Sequence, residues 1–161
     1  MRGAIDRVDE TPDGTVIVID YKTGSQEGYA GVDAAEPTPG GTHLQLVLYA
    51  LATRAVLDPP TERVRGTYWF VTDRGGFDTV GYQVTEAVAD LGLETVRHII
   101  DGIGAGTFPA RPPAPKFRQW VECPYCEPDG LGLAHQRADW RRKRTDPTLA
   151  SYLELCDADD E

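Results

Sequence analysis

Val16-Ile17-Val18-Ile19-Asp20-Tyr21-Lys22 is the stretch on which the reading of this chain turns. Its first four residues, Val16 to Ile19, are a short, continuous β-branched run, which reads as a strand buried on both faces. Side chains alternate along a strand, so Asp20 and Lys22 point the same way and Tyr21 the opposite way. A carboxylate and an ammonium therefore share one surface where the strand ends. Taken alone, such a pair is most simply a salt bridge at a strand terminus.

Its surroundings add a second carboxylate. Residues 3–9 read as a strand, and Pro12-Asp13-Gly14 is a turn signal, so the two strands form a hairpin. Pairing across that turn brings Asp6 toward Asp20, in a register the sequence leaves open. Two carboxylates about 4 Å apart repel by roughly 4 kcal/mol at an effective dielectric of about 20. Such a pair calls for a cation between them or a raised pKa. Hard oxygen ligands favour Mg2+ or Mn2+. A cation held there would polarise a phosphoryl oxygen and help deprotonate water, with Lys22 orienting that water or offsetting charge on the phosphate. That is the outline of a phosphodiester hydrolase.

Downstream, residues 24–41 are rich in Gly, Pro, Ala and acidic side chains, which predicts an irregular, mobile loop with little to bury. Leu44, Val47, Leu48 and Leu51 give the apolar stripe of a helix over 42–57, ended by Asp58-Pro59-Pro60. Gln45 and Tyr49 lie four residues apart on one face of that helix, beside the stripe, where they either point toward the sheet's active edge or form a polar boundary. Residues 64–71 read as a strand, Asp73-Arg74-Gly75-Gly76 as a turn, and Val80, Tyr82 and Val84 as an alternating strand. A second helix begins near Thr85, carries Val88, Leu91, Val96, Ile99, Ile100 and Ile103 on one side, and ends by Gly104 and Gly106. Residues 109–115 are proline-rich and read as extended.

With 161 residues, 40% of them hydrophobic, the chain accommodates one globular domain and a tail. No run approaches the ~18 apolar residues of a membrane span and the start has no signal core, so a cytoplasmic protein without a membrane partner is expected. The net charge of −10 argues against holding nucleic acid by bulk electrostatics. The charge is uneven, however. Asp157, Asp159, Asp160 and Glu161 form an acidic tail, whereas Arg137, Arg141, Arg142, Lys143 and Arg144 form a basic cluster or simply a solvated helix face. Three cysteines, two of them Cys123 and Cys126, are too few for a disulfide framework. Lysine is scarce, three against 13 arginines, yet it is used at position 22, where a compact ammonium suits the chemistry better than a guanidinium.

Gly3-Ala4-Ile5-Asp6-Arg7-Val8-Asp9, then Val18-Ile19-Asp20-Tyr21-Lys22-Thr23-Gly24, then Gln45-Leu46-Val47-Leu48-Tyr49 resemble, in order and spacing, the motifs of RecB-like nucleases of the PD-(D/E)XK superfamily. The resemblance covers about residues 1–126, the three motifs together being specific where each alone is not. It implies a restriction-endonuclease-like α/β core with a mixed central sheet flanked by helices. It implies that Asp6 and Asp20 are metal ligands, that the Tyr21 backbone carbonyl completes the inner shell, and that Lys22 is the catalytic lysine. Gln45 and Tyr49 would organise the site or touch DNA. The implied cofactor is Mg2+ or Mn2+, the substrate DNA, the setting repair or recombination, and a helicase subunit or domain a partner. Arg7 and Asp9 are read as a local ion pair instead.

The pattern also breaks. Relatives often carry a histidine on a helix before the first motif, but this chain begins at that strand, which reads as an N-terminal truncation exposing a sheet face. His43, His98 and His135 all follow Asp6, and His43 reads as a surface residue or helix start. Some relatives bind an iron-sulfur cluster through an upstream cysteine and three near the C-terminus; Cys123 and Cys126 match two, but the expected third position is Gly132. Two thiolates cannot close a cluster, so none is expected. A zinc site from Cys123, Cys126, His135 and Cys156 is the alternative to two reduced structural cysteines, although the 21 residues from His135 to Cys156 fit no compact zinc pattern. Residues 127–161 read as a C-terminal helix with the basic cluster and acidic tail. Two rival functions follow: a non-catalytic DNA-binding or scaffolding module with an incomplete site, and a small metal-stabilised interaction domain built on Cys123 and Cys126.

Overall fold

The structure is a computed structural model and describes residues 3–112 and 133–156. β1 (Arg7–Glu10) and β2 (Val16–Lys22) form the predicted antiparallel hairpin, with Arg7 opposite Ile19 and Glu10 opposite Val16. The turn is locked by its own polar groups: Thr11 and Thr15 pair through the backbone at 2.9 Å, and Asp13 accepts from the Thr15 hydroxyl at 3.1 Å. Gly14 there takes φ 82°, which glycine adopts without strain.

β2 runs parallel to β3 (Val64–Phe70), and a parallel pair requires a crossover, which α1 (Gln45–Leu57) supplies. β4 (Thr79–Gln83) returns antiparallel to β3, so the sheet is mixed, in the order β1-β2-β3-β4. With the helices that flank it, this is the expected α/β restriction-endonuclease-like arrangement. Register puts Val16, Val18, Asp20 and Lys22 on one face with Val64, Gly66, Tyr68 and Phe70 of β3 and with Val80 and Tyr82 of β4. α1 and α2 (Glu86–Gly104) lie against that face. The core there contains Leu46, Val47, Ala50, Val64, Tyr68, Phe70, Tyr82, Val84, Val88 and Ala89.

Two glycines let the layers approach. A β-carbon on Gly66 would fall 2.9 Å from Leu46 Cβ, and one on Gly92 of α2 would fall 2.5 Å from Val47 Cγ2. α1 thus seats consecutive side chains against the sheet and against α2. This corrects the expected apolar stripes. On α1 the buried residues are Leu46, Val47, Ala50 and Thr53, with Leu48 and Leu51 only partly covered. On α2 they are Val88, Ala89, Gly92 and Thr95, while Leu91, Ile100 and Ile103 are exposed. Leu46 and Val47 of α1 meet glycines, Gly66 on the sheet and Gly92 on α2, which permit the close approach that larger residues would block.

Two further expectations change. The first strand begins at Arg7 rather than residue 3, because the Asp6 carboxylate takes the Tyr21 N–H at 2.9 Å where a ladder carbonyl would otherwise pair. The loop over 24–41 buries much more than its composition suggests. Val32, Pro37 and Thr38 are buried, the Thr38 and Thr95 hydroxyls are hydrogen-bonded at 2.8 Å, and Tyr82 donates to the Pro37 carbonyl at 3.2 Å. The loop is pinned to α2 and to β4 at once.

α3 (Leu133–Lys143) and α4 (Ala150–Cys156) complete the described chain. α4 packs on α2, with Leu155 against Gly41, and Tyr152 meets Trp140 of α3 edge-on at 6.2 Å. Among the described residues no helix is long and apolar enough to cross a membrane.

Candidate active site

Asp20 and Lys22 emerge at the carboxyl end of β2, on the face that α1 covers. β-branched residues drive Val16–Ile19 into the sheet, and the alternation then delivers Asp20 and Lys22 beneath the start of α1. Asp20 is 4% exposed, a burial that charged residues tolerate only when paired. Lys22 Nζ lies 2.6 Å from Asp20 Oδ2, in an ion-pair contact outside hydrogen-bonding geometry. Gln45, the first residue of α1, closes the group. Its Nε2 donates to Asp20 Oδ1 at 2.9 Å, and its Oε1 accepts from Lys22 Nζ at 2.8 Å. An amide serves a carboxylate and an ammonium at once because it carries a donor and an acceptor side by side.

Asp6 stands one residue beyond the β1–β2 ladder. Continuing the register places it across from Asp20, where directly opposed residues share a face. Its carboxylate is exposed and holds the Tyr21 N–H. Tyr21 itself turns its ring to the other face of the sheet, 5.8 Å from Trp69. Tyr49, one helical turn after Gln45, lies against Gly3, whose β-carbon would fall 3.2 Å from the Tyr49 ring. Tyr49 therefore braces the segment that leads into Asp6. Arg7 and Asp9 form the expected local pair at 2.7 Å.

The electrostatics keep Lys22 charged. Partial burial works against its ammonium, but the close contact with the Asp20 carboxylate and the neighbouring Tyr29 outweigh that cost, so its pKa is raised. Tyr68 contributes its ring face, with Lys22 Nζ 4.9 Å from the centroid. Burial raises the Tyr68 phenol well above its ordinary range, so it remains a neutral donor to the His43 carbonyl at 3.0 Å.

Three residues of this neighbourhood escaped the sequence reading. Tyr68 lies within an aromatic strand whose register the sequence does not reveal. Tyr29 is an isolated aromatic in a glycine-rich acidic loop, and that isolation was the available signal. His43 is neither a surface residue nor part of the helix. It is half-buried, at φ 53°, with its ring 4.6 Å from Tyr29. Burial, with a smaller contribution from Lys22, lowers its pKa and favours the neutral imidazole.

Two side-chain carboxylates and a neighbouring backbone carbonyl are a set that Mg2+ accepts, because it keeps several waters and takes one or two carboxylates. The buried Asp20 Oδ2, without a hydrogen-bond donor in good geometry, is the atom that best fits such an ion. Among the described residues, no three His, Cys, Asp or Glu side chains are placed to hold a metal. Of the cysteine site considered from sequence, Cys123 and Cys126 lie outside the described residues. His135 is exposed on α3, 3.7 Å from Asp139, and Cys156 is a free thiol on α4.

No curated protein and no solved structure matches the chain significantly. The sequence profile of the PD-(D/E)XK nuclease superfamily matches residues 1–129, spanning the hairpin, the crossover helix and every member of the cluster around Asp20. The chain belongs to the PD-(D/E)XK nuclease superfamily.

Proposed function

We propose that this chain hydrolyses DNA phosphodiester bonds with Mg2+ or Mn2+, as a RecB-like nuclease of DNA repair or recombination. The observation that carries the reading is the closed group of Asp20, Lys22 and Gln45, with the Asp6 carboxylate on the adjoining Tyr21 N–H. Asp6 and Asp20 would hold the cation, with the Tyr21 carbonyl beside them. When bound, the cation supplies Lewis-acid polarisation of the phosphate and a lowered pKa for water.

The chain's own groups do the rest. Lys22 presents a fixed positive charge, which offsets the negative charge that grows on the phosphoryl oxygens during attack. Gln45 holds Lys22 and Asp20 at a set separation, so little reorganisation is needed when substrate arrives. Tyr49 steadies the approach to Asp6. A helicase subunit or domain is the partner proposed for the assembled enzyme, on the strength of the RecB-like motifs.

A second reading, a non-catalytic DNA-binding module, is favoured by the direct contact of Lys22 with the Asp20 oxygen that a cation would need. Incubation of end-labelled single- and double-stranded DNA with Mg2+, Mn2+ or EDTA separates the two. Cutting with either cation and none with EDTA supports the nuclease; retention of DNA without cutting under any condition supports the module.

A further inference from the structure

Lys22 is the most mobile member of the site by its chemistry, an ammonium on a four-carbon stem, and Asp20 and Gln45 contact it only at its tip. A further neighbour of that tip comes from the loop between β2 and α1. Tyr29 lies beside Lys22, with its ring centroid 5.9 Å from Nζ, on the same side as Tyr68 at 4.9 Å, so that the two touching rings form one aromatic wall. The Tyr29 ring is itself held on three sides: by His43 at 4.6 Å, by Tyr68 at 4.9 Å in an edge contact, and by Phe70 at 5.1 Å, also edge-on. Edge contacts of this kind fix a ring's orientation as well as its place. His43 is in turn set by its left-handed backbone and by its carbonyl, which accepts from Tyr68. A left-handed conformation at a residue other than glycine persists only where the surroundings impose it.

We propose that Tyr29 is a positioning residue, its ring forming the wall that keeps the Lys22 ammonium on Asp20, with His43 as the wedge that holds the ring upright. The proposal rests on the reading of Lys22 as the active ammonium, but its structural content stands apart from catalysis. Tyr29 acts through Lys22 and makes no claim on substrate. The ring sets the place of the ammonium while the hydroxyl adds to its stability, so phenylalanine should keep the placement, without the hydroxyl's contribution, and a leucine of similar bulk should lose it.

The chain has only three lysines, Lys22, Lys116 and Lys143, so lysine labelled with 13C at the ε-carbon gives a spectrum in which Lys22 is readily assigned. In the parent, the Lys22 ε-protons should show nuclear Overhauser effects to both the Tyr29 and the Tyr68 rings. In Tyr29→Phe the Lys22 contact with Tyr68 should persist. In Tyr29→Leu it should vanish, and kcat on DNA should drop about 10- to 100-fold with KM little changed. A folded parent without the Lys22–Tyr29 effect overturns the proposal even if the leucine variant does not fold. So does a folded Tyr29→Leu protein that keeps the Lys22–Tyr68 contact. A parent that shows both ring contacts yet never cuts DNA leaves the positioning role in place and removes the nuclease reading instead.

Discussion

Gln45 donates to Asp20 across 25 positions of chain, its amide nitrogen 2.9 Å from Oδ1, and this bond joins the crossover helix to the strand that carries the site. Because Asp20 is buried, losing the donor leaves an acceptor oxygen without a replacement from water. Gln45→Leu should lower unfolding free energy by about 1–3 kcal/mol in a denaturant titration. Gln45→Glu should be worse, since it places a second carboxylate against Asp20 and removes the donor together.

Gly66 sets how closely α1 rides on the sheet. Adding one methyl there meets Leu46 Cβ at 2.9 Å, and both partners sit on regular elements that cannot yield easily. Gly66→Ala should cost about 1–3 kcal/mol of stability by overpacking. As α1 lifts, Gln45 moves with it, so DNA cleavage should fall further than the population of folded protein does. Circular dichroism melts alongside initial rates measure both.

Much of this was legible in the sequence, and the parts that were not share a cause. The hairpin and the face shared by Asp20 and Lys22 follow from local pattern, a β-branched run, a Pro-Asp-Gly turn and strand alternation, whereas the mixed sheet follows only from the resemblance to a known family. The bridge through Gln45 was foreshadowed by its place at the start of a helix beside an apolar stripe. The register of Asp6 and the burial of the 24–41 loop depend on contacts between distant segments. Thr38 meets Thr95, Tyr82 meets Pro37, and Tyr29 fills a gap bordered by Tyr68 and Phe70. No periodicity within the loop announces these partners. The helix stripes differ for the same reason: Leu46 and Val47 reach the sheet and α2 because Gly66 and Gly92 stand opposite them, a complementarity between distant segments that spacing within one helix does not reveal.

Asp6 offers a test of the proposed ligand set. Asp6→Asn retains an oxygen to accept the Tyr21 N–H, so the hairpin and the melting temperature should change little. The lost charge should weaken Mn2+ binding by about tenfold or more in titration calorimetry. Unchanged Mn2+ affinity in a folded Asp6→Asn protein would remove Asp6 from the ligands.

Tyr68 and Tyr82 predict an alkaline limit to stability. Burial raises both phenols, so the folded state keeps protons that the unfolded chain releases. Stability is therefore whole below the ordinary tyrosine pKa of about 10 and declines as pH rises beyond it. The Lys22 shift acts in the same direction, since its raised pKa also favours the protonated folded state. Tyr82→Phe should flatten the decline between about pH 10 and 12, read as the slope of unfolding free energy against pH.

The central claim, that the group around Asp20 is a metal-dependent phosphodiesterase centre, is tested most directly by single-turnover cleavage of labelled DNA at saturating Mn2+. The comparison is between the parent and Lys22→Ala, each first shown to be folded and to bind DNA. The account predicts cutting by the parent that EDTA abolishes, and a loss of about 100-fold or more in Lys22→Ala with DNA affinity nearly unchanged. Equal rates in the two proteins, or a folded, DNA-binding parent that never cuts, would contradict it.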